Sequence, residues 1–392
     1  MQGSKYPLAT TTWDEAEINA MQEVIQSRNF TMGTRVRGYE SEFADLFGTS
    51  HAVMSNSGSS ANLLALGAIK YSSFGEDKTR NEVIVPAVSW STTYYPITQM
   101  GYTLKFVDID LGTLNASASI IEAAITSDTA GIVAVNLLGN PSELDRLRGF
   151  ADANRIFLIE DNCESLGAKL NGKMTGTFGD IGTFSSFFSH HISTMEGGMS
   201  VTSNLELSQV MTSLRAHGWT RELPDENHVL SKSGNQFDDL FRFVLPGYNL
   251  RPLELEGAIG SEQLKKVPGI IQGRRKNHKT FASLMEQFPK LKTQVEIGES
   301  SWFGFSLILT ETLSGRRSEL VEILTKYGIA SRPIVAGNFT RNPVMRHLKH
   351  TPLPDLPNAD QVHEDGLFIG NHHYEMTEEF NLLESALREF HK

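Results

Sequence analysis

The chain has 392 residues, 40% of them apolar and 21% charged, which supplies a sizeable core and excludes global disorder. At a typical ~150 residues per domain, this length implies two to three domains, or one large domain with a smaller partner. Lys and Arg number 35 against 46 Asp and Glu, and the net charge of -11 argues against a nucleic-acid binder while leaving room for a local basic pocket.

The start, Met1-Gln2-Gly3-Ser4-Lys5, is not followed by an apolar signal-peptide core, and no run approaches the ~18 apolar residues of a membrane span. A soluble cytoplasmic protein is expected. Thr12-Trp13-Asp14-Glu15 reads as a capping box opening a helix that runs to about Arg28. A second amphipathic stretch, Tyr39–Phe47, ends at Gly48. From there to about residue 205, short Val/Ile-rich runs alternate with helix-like segments. His51–Ser55, Glu82–Pro86, Leu104–Ile109, Gly131–Asn136, Ile156–Asp161, Ile181–Phe188 and Met199–Thr202 read as strands. Ser59–Lys70, Ser91–Met100, Ile120–Thr126 and Pro141–Asn154 read as helices. This repetition predicts an α/β fold with a mostly parallel central sheet, its ligands at the carboxyl ends of the strands.

Arg251 to about Phe288 reads as one or two long helices, interrupted at Pro268-Gly269. Val295–Ile297, Trp302–Leu309, a helix near Ser318–Tyr327, a strand near Ile329–Val335 and a last helix from about Glu378 suggest a smaller α+β domain. The expected organisation is an N-terminal segment 1–30 packing near the small domain, a large α/β domain 31–250, and a long helix with the small domain over 251–392.

Six places carry residues suited to chemistry. Ser55-Asn56-Ser57-Gly58-Ser59-Ser60-Ala61 joins a strand to a helix, and such a helix start suits a phosphate; the same residues also make an ordinary well-capped helix. The strand Ile156–Asp161 ends in two acids, Glu160 and Asp161, which can fix a metal, a ribose hydroxyl or a protonated ring nitrogen, or simply cap the next turn; Glu164 follows. In Ser185-Ser186-Phe187-Phe188-Ser189-His190-His191, one functional imidazole is plausible. A metal is not expected there, because adjacent strand residues point to opposite faces and no third ligand is evident. Trp90 suits stacking on a planar ligand, or the core. His217 and Arg221 form a basic cluster at a helix end, and Asn249 in Gly247-Tyr248-Asn249-Leu250-Arg251-Pro252 can reach a phosphate or cap the long helix. The single cysteine, Cys163, excludes an intrachain disulfide and a Cys-ligated iron–sulfur cluster.

The order and spacing of these places resemble the sugar aminotransferase family named for DegT, DnrJ, EryC and StrS, which are fold-type-I pyridoxal-phosphate enzymes. The resemblance runs through Gly58-Ser59-Ser60-Ala61, Trp90, Glu160-Asp161-Asn162-Cys163-Glu164-Ser165-Leu166-Gly167-Ala168, Gly176…Gly179-Asp180, Ser185…His190…Glu196-Gly197-Gly198 and Gly247–Pro252, nearly the whole chain. It implies Asp161 against the pyridine nitrogen, and Gly58, Ser59 and Ser185 on the cofactor phosphate. It also implies Trp90 stacked on the ring, Glu164 beside it, and Asn249 reaching a partner subunit's phosphate in a homodimer.

One departure matters most. Five residues after Ser185 the family carries the lysine that holds the cofactor covalently, and here the residue is His190. Lys169 and Lys173 are nearest and neither fits the spacing. An imidazole forms no stable imine, but it serves as a general base near neutral pH. His at this place resembles the 3-dehydratases of 4-keto-6-deoxy sugar nucleotides, and the GDP-mannose type among them needs no iron–sulfur cluster. What that resemblance implies is a C3 dehydratase in deoxysugar (colitose, O-antigen lipopolysaccharide) biosynthesis. It would use non-covalent pyridoxamine or pyridoxal 5'-phosphate, L-glutamate as amino donor and a GDP-linked 4-keto-6-deoxy sugar, and it would release ammonia. His217 and Arg221 are its substrate-binding candidates. The rivals are a nucleotide-sugar C4 aminotransferase using another lysine, and a catalytically silent cofactor-binding regulator.

Overall fold

In the computed structural model, which describes residues 4–77 and 79–392, the chain begins against its own C-terminal half. Met1, Gln2 and Gly3, on which part of the leader expectation rests, and Lys78 lie outside the described residues. Tyr6 is fully buried in the C-terminal core; its N–H donates to Gly328 O at 3.0 Å and its hydroxyl to Gly370 O at 2.7 Å. Helix α1 (Glu15–Ser27) is capped by Asp14 with Glu17 as the box partner, two residues later than the pattern at Thr12 suggested. Thr12 instead donates its hydroxyl to Gln263 at 2.6 Å, because the buried Glu17 pairs with Lys266 and latches α1 to the long helix. Helix α2 (Thr34–Phe47) ends at left-handed Gly48.

The large sheet follows the predicted runs closely. Its strands are β1 (His51–Ser55), β2 (Glu82–Pro86), β3 (Thr103–Val107), β4 (Thr129–Val135) and β5 (Phe157–Asp161), then, after a small hairpin β6 (Lys169–Leu170) and β7 (Lys173–Met174), β8 (Ile181–Ser185) and β9 (Gly198–Thr202). The order is β1-β9-β8-β5-β4-β2-β3, parallel except for β9, which runs against both of its neighbours. Val83, Ile84 and Val85 are fully buried, since helices cover both faces, and each contributes about 1.5–3 kcal/mol. The covering helices are α3 (Gly58–Lys70), α4 (Ser91–Gln99), α5 (Ala118–Ala124), α6 (Leu144–Asn154) and α7 (Leu205–Arg215), with a short α8 (Gln236–Asp239) beyond. β8 ends at Ser185, three residues short of the expected Phe188, because the chain then turns so that Ser186 N–H and Thr194 N–H close a loop around His190.

The long helix is a single α9 (Glu254–Met285) that runs through Pro268 without a break. Proline removes one backbone hydrogen bond there. Val267, Ile270 and Ile271 are nevertheless buried in one cluster with Leu166 and Phe184, and that packing outweighs the local preference. The second sheet is antiparallel, in the order β10 (Leu291–Lys292), β11 (Gly304–Leu309), then β13 (Gly366–Gly370), with β12 (Ser331–Arg332) at its edge. Helices α10 (Arg317–Lys326), α11 (Pro357–Asp365) and α12 (Thr377–Phe390) complete this half. Two expectations are corrected here. Val295–Ile297 is a loop, pinned because Asn140 exchanges hydrogen bonds with Val295 O and Ile297 N. Of Ile329–Val335 only Ser331 and Arg332 pair with β13, since Ile329 is taken by Tyr6 and Val335 turns with φ 47°. β13 and α11 carry no earlier prediction, yet β13 is a central strand.

Candidate active site

A cavity of about 370 Å³ lies where β1, β2, β5 and β8 end. Its wall is made by the first turn of α3, by Trp90, by Asp161 and Glu164, by Ser185 and His190, and by Phe303, Arg332 and Val335 from the C-terminal half. Each comes from a strand end or the turn after it, the place where side chains of a parallel sheet converge.

The two acids closing β5 separate by strand alternation. Asp161 faces the cavity, and its carboxylate accepts from Asn62 Nδ2 at 2.9 Å, Thr93 Oγ1 at 2.8 Å and Cys163 N at 3.2 Å. Glu160 faces away and accepts the backbone N–H groups of Gly176, Phe178 and Gly179 at 2.6–2.7 Å. Glu160 therefore takes the turn-capping reading of this acidic pair, and Asp161 is the acid placed at the cavity. Glu164 accepts from Leu138 N at 2.9 Å, and burial, with Asp161 nearby, pushes its carboxyl up to about 7.

Ser57 caps α3, accepting from Ser60 N at 3.1 Å. The next residue must be glycine: a Cβ on Gly58 would stand 2.5 Å from Ser185 Cβ and 3.0 Å from Cys163 Sγ. The close approach brings the Ser185 hydroxyl beside the N-terminal end of α3, whose first N–H groups have no helical partner. Ser59 donates to Thr92 Oγ1 at 2.9 Å across the cavity mouth. Trp90, at the start of α4, is 58% exposed and borders the cavity, so it is not a core tryptophan.

The adjacent imidazoles also separate. His191 is buried, with Nε2 at 3.1 Å from Ser301 O, and its ring is held well below the ordinary histidine range by burial and by Arg274. His190 lines the cavity, its ring centre 5.3 Å from that of Phe303, and its Nδ1 has neither solvent nor a hydrogen-bond partner. Burial pushes its pKa down to about 4, with Arg274 adding to the effect, so the ring is neutral at physiological pH. Among the described residues lining the cavity there is no lysine. Lys169 lines a different groove, and Lys173 lies over the Phe178 ring at 4.5 Å.

Three candidates do not join this cavity. His217, with φ 62°, packs edge-on to Trp219. Arg221 lies over Trp219 at 3.9 Å and donates to Leu240 O at 2.7 Å. Asn249 pairs with Ala216 and accepts from Arg251 Nε at 3.0 Å. All three belong to a flank formed by residues 216–251, whose Phe237, Phe241 and Phe243 are exposed. Conversely, Asn62, Thr93, Phe303 and Arg332 line the cavity without having been singled out, and Glu196, named only within its motif, joins them. Asn62 carried a signal, since it stands one helical turn after Gly58.

A model of the DegT/DnrJ/EryC1/StrS aminotransferase family matches residues 11–383. The chain belongs to this family. Within it, the chain is 50% identical over 385 residues to the GDP-4-keto-6-deoxy-D-mannose 3-dehydratase of Yersinia pseudotuberculosis, covering 98% of either protein. A crystal structure of a GDP-4-keto-6-deoxymannose-3-dehydratase mutant with bound GDP-perosamine superimposes with a TM-score of 0.95 at 50% identity, over 98% of this chain and 100% of that one. Another of the same enzyme, with a trapped PLP-glutamate geminal diamine, gives a TM-score of 0.94 at 49% identity, over 98% and 100% of the two chains. The fold is thus that of the fold-type-I PLP-dependent transferases. Among the described residues no helix is long and apolar enough to cross a membrane.

Proposed function

We propose that this member of the family is a glutamate-requiring, pyridoxamine/pyridoxal-phosphate-dependent C3 dehydratase. Its substrate is a GDP-4-keto-6-deoxy-mannose-type nucleotide sugar, and its product is the 4-keto-3,6-dideoxy sugar nucleotide. The reaction consumes glutamate and yields 2-oxoglutarate and ammonia, so the oxygen lost from C3 balances the one gained by the keto acid. The observation that carries this reading is His190 standing in a cavity that no lysine lines among the described residues.

The donor set fits the cofactor. An anionic phosphate suits the α3 terminus with Gly58, Ser59 and Ser185; a ring N–H suits Asp161, whose carboxylate is oriented by three donors; and a flat ring suits Trp90. When bound, the cofactor supplies an amine for the C4 ketone and a ring that takes up electrons. With no lysine tether, these side chains and Glu164 hold it by non-covalent contacts alone. His190, neutral and desolvated, accepts a proton from carbon and returns it to the C3 hydroxyl oxygen, which leaves as water.

Asn249, His217 and Arg221 lie outside the cavity of their own chain, beside an exposed aromatic strip. This supports a homodimer in which each flank completes the other subunit's site, with Asn249 toward its phosphate and His217 and Arg221 toward the sugar nucleotide or glutamate. Residues 31–250 form the cofactor-binding domain, 251–392 the long helix and small domain, and the N-terminal segment packs beside the latter. The enzyme works in the cytoplasm, where nucleotide sugars and glutamate meet.

The test is incubation with GDP-4-keto-6-deoxy-mannose and glutamate, followed by mass spectrometry. Loss of one oxygen with glutamate consumption is expected. A 4-amino product, or a lysyl adduct trapped by borohydride in the native protein, would return the chain to the aminotransferases, and no turnover at all would favour a silent regulator. In His190→Lys, a borohydride-stable adduct with loss of dehydration is expected.

A further inference from the structure

Arg274, on the inner face of α9, is 5% exposed, yet no carboxylate among the described residues pairs with it. Its neighbour Arg275 is by contrast conventionally paired with Glu299 at 2.9 Å. A guanidinium withdrawn from water without a counter-ion is costly for a fold, so its geometry needs an explanation. Its Nη1 donates to Phe303 O at 2.9 Å and reaches Trp302 O at 3.4 Å, while its Nε has no partner.

The two carbonyls belong to a segment braced from several sides. Trp302 has φ 48° and stacks on His278 of the same helix at 3.5 Å. Asn371 donates to Trp302 O at 2.8 Å and to Arg274 O at 3.2 Å. Phe303 N donates to Leu138 O at 2.9 Å, and the Phe303 ring enters the cavity between His190 and His191, at 5.3 and 5.7 Å. His190 Nδ1 has no hydrogen-bond partner, and the ring is held beside the Phe187 backbone and between the Phe187 and Phe303 rings, whose centres are 6.1 and 5.3 Å away.

We propose that Arg274 is a positioning residue: by clamping the Trp302 and Phe303 carbonyls it sets the Phe303 ring, which in turn aims the His190 imidazole. This rests on His190 being the base. Both bonds leave one nitrogen, Nη1, whose two N–H groups are fixed in the guanidinium plane, whereas a lysine ammonium rotates freely and holds no such direction. A base displaced by even a fraction of an ångström loses rate rather than affinity.

The experiment is a double-mutant cycle of Arg274→Lys and Phe303→Leu in the cofactor-loaded enzyme, with His190→Asn as control. Expected is a kcat for Arg274→Lys lowered at least about threefold, up to ~100-fold, with KM for sugar nucleotide and glutamate unchanged. Phe303→Leu added to that variant should cost clearly less than it does in the wild type, since both act through one contact. In cofactor-free protein labelled at histidine, the His190 ring resonance, identified by its loss in His190→Asn, should shift in Arg274→Lys. A kcat within about threefold of wild type, a loss carried by KM, strict additivity, or an unmoved His190 resonance would each overturn the proposal. If Arg274→Lys does not fold, Asn371→Ser, which loosens the same carbonyl without touching a charge, is judged by the same criteria. A fully active His190→Asn would instead sink the base assignment itself.

Discussion

The end of β5 and the turn after β8 each carry two adjacent residues of one chemical type, and each pair divides between cavity and interior. At β5 the division follows from the backbone. Strand neighbours point to opposite faces, so Asp161 meets the cavity while Glu160 closes the Gly176–Gly179 turn. After β8 there is no strand to impose alternation. His190 faces the cavity and His191 the core because Ser301 and Phe303, over a hundred residues downstream, receive them. A repeating backbone assigns roles locally, whereas an irregular turn takes them from the packing around it.

That comparison is broken most severely at His190. His190→Asn removes the proposed base while keeping the size of the side chain, and dehydration should fall by about 10²–10⁴-fold in a steady-state assay with cofactor binding retained. Next comes Asp161→Asn, which replaces the charge by an amide; cofactor titration followed by absorbance should show an affinity loss of about tenfold or more, with activity falling in parallel. The pH profile sharpens the contrast further. His190 is shifted down to about 4, so its neutral form persists as pH falls through 6.5. The acid limb of kcat/KM should therefore lie well below the ordinary histidine value; a limb at or above 6.5 would contradict the burial of the ring.

The interior partners should behave oppositely. Glu160→Gln presents an amide to three backbone N–H groups and should lower folding stability by about 1–3 kcal/mol in urea melts, with kcat within about twofold of wild type. His191→Gln, which weakens one contact to Ser301 O, should cost about 1 kcal/mol. If Glu160→Gln instead destroyed activity and kept stability, the division at β5 would be wrong.

Legibility in the sequence follows the same division. The seven strands of the large sheet stood out because they are short apolar runs, the earlier ones separated by helices, and their ends marked Gly58, Trp90, Asp161 and Ser185 at once. β13, Leu367-Phe368-Ile369 between two glycines, gave no such alternation and was recognisable only as the neighbour of β11. Pro268 was a misleading signal, since a local helix breaker was overruled by the buried face of α9. Phe303 and Arg332 were not picked out as site residues for a simpler reason: they reach the cavity from the C-terminal half, far along the chain from the strand ends that mark it.

What the amino-acid order determined alone was the α/β frame, the strand ends that gather a site, and the exchange of a lysine for His190, because these depend on periodicity and residue identity. What only the tertiary structure decided was which of two like neighbours faces the cavity at the irregular turn, that neither Lys169 nor Lys173 lines it, and that Arg274 is buried behind its wall with no carboxylate partner among the described residues. Those outcomes are set by contacts between segments far apart in the chain, and such contacts leave no trace in local pattern.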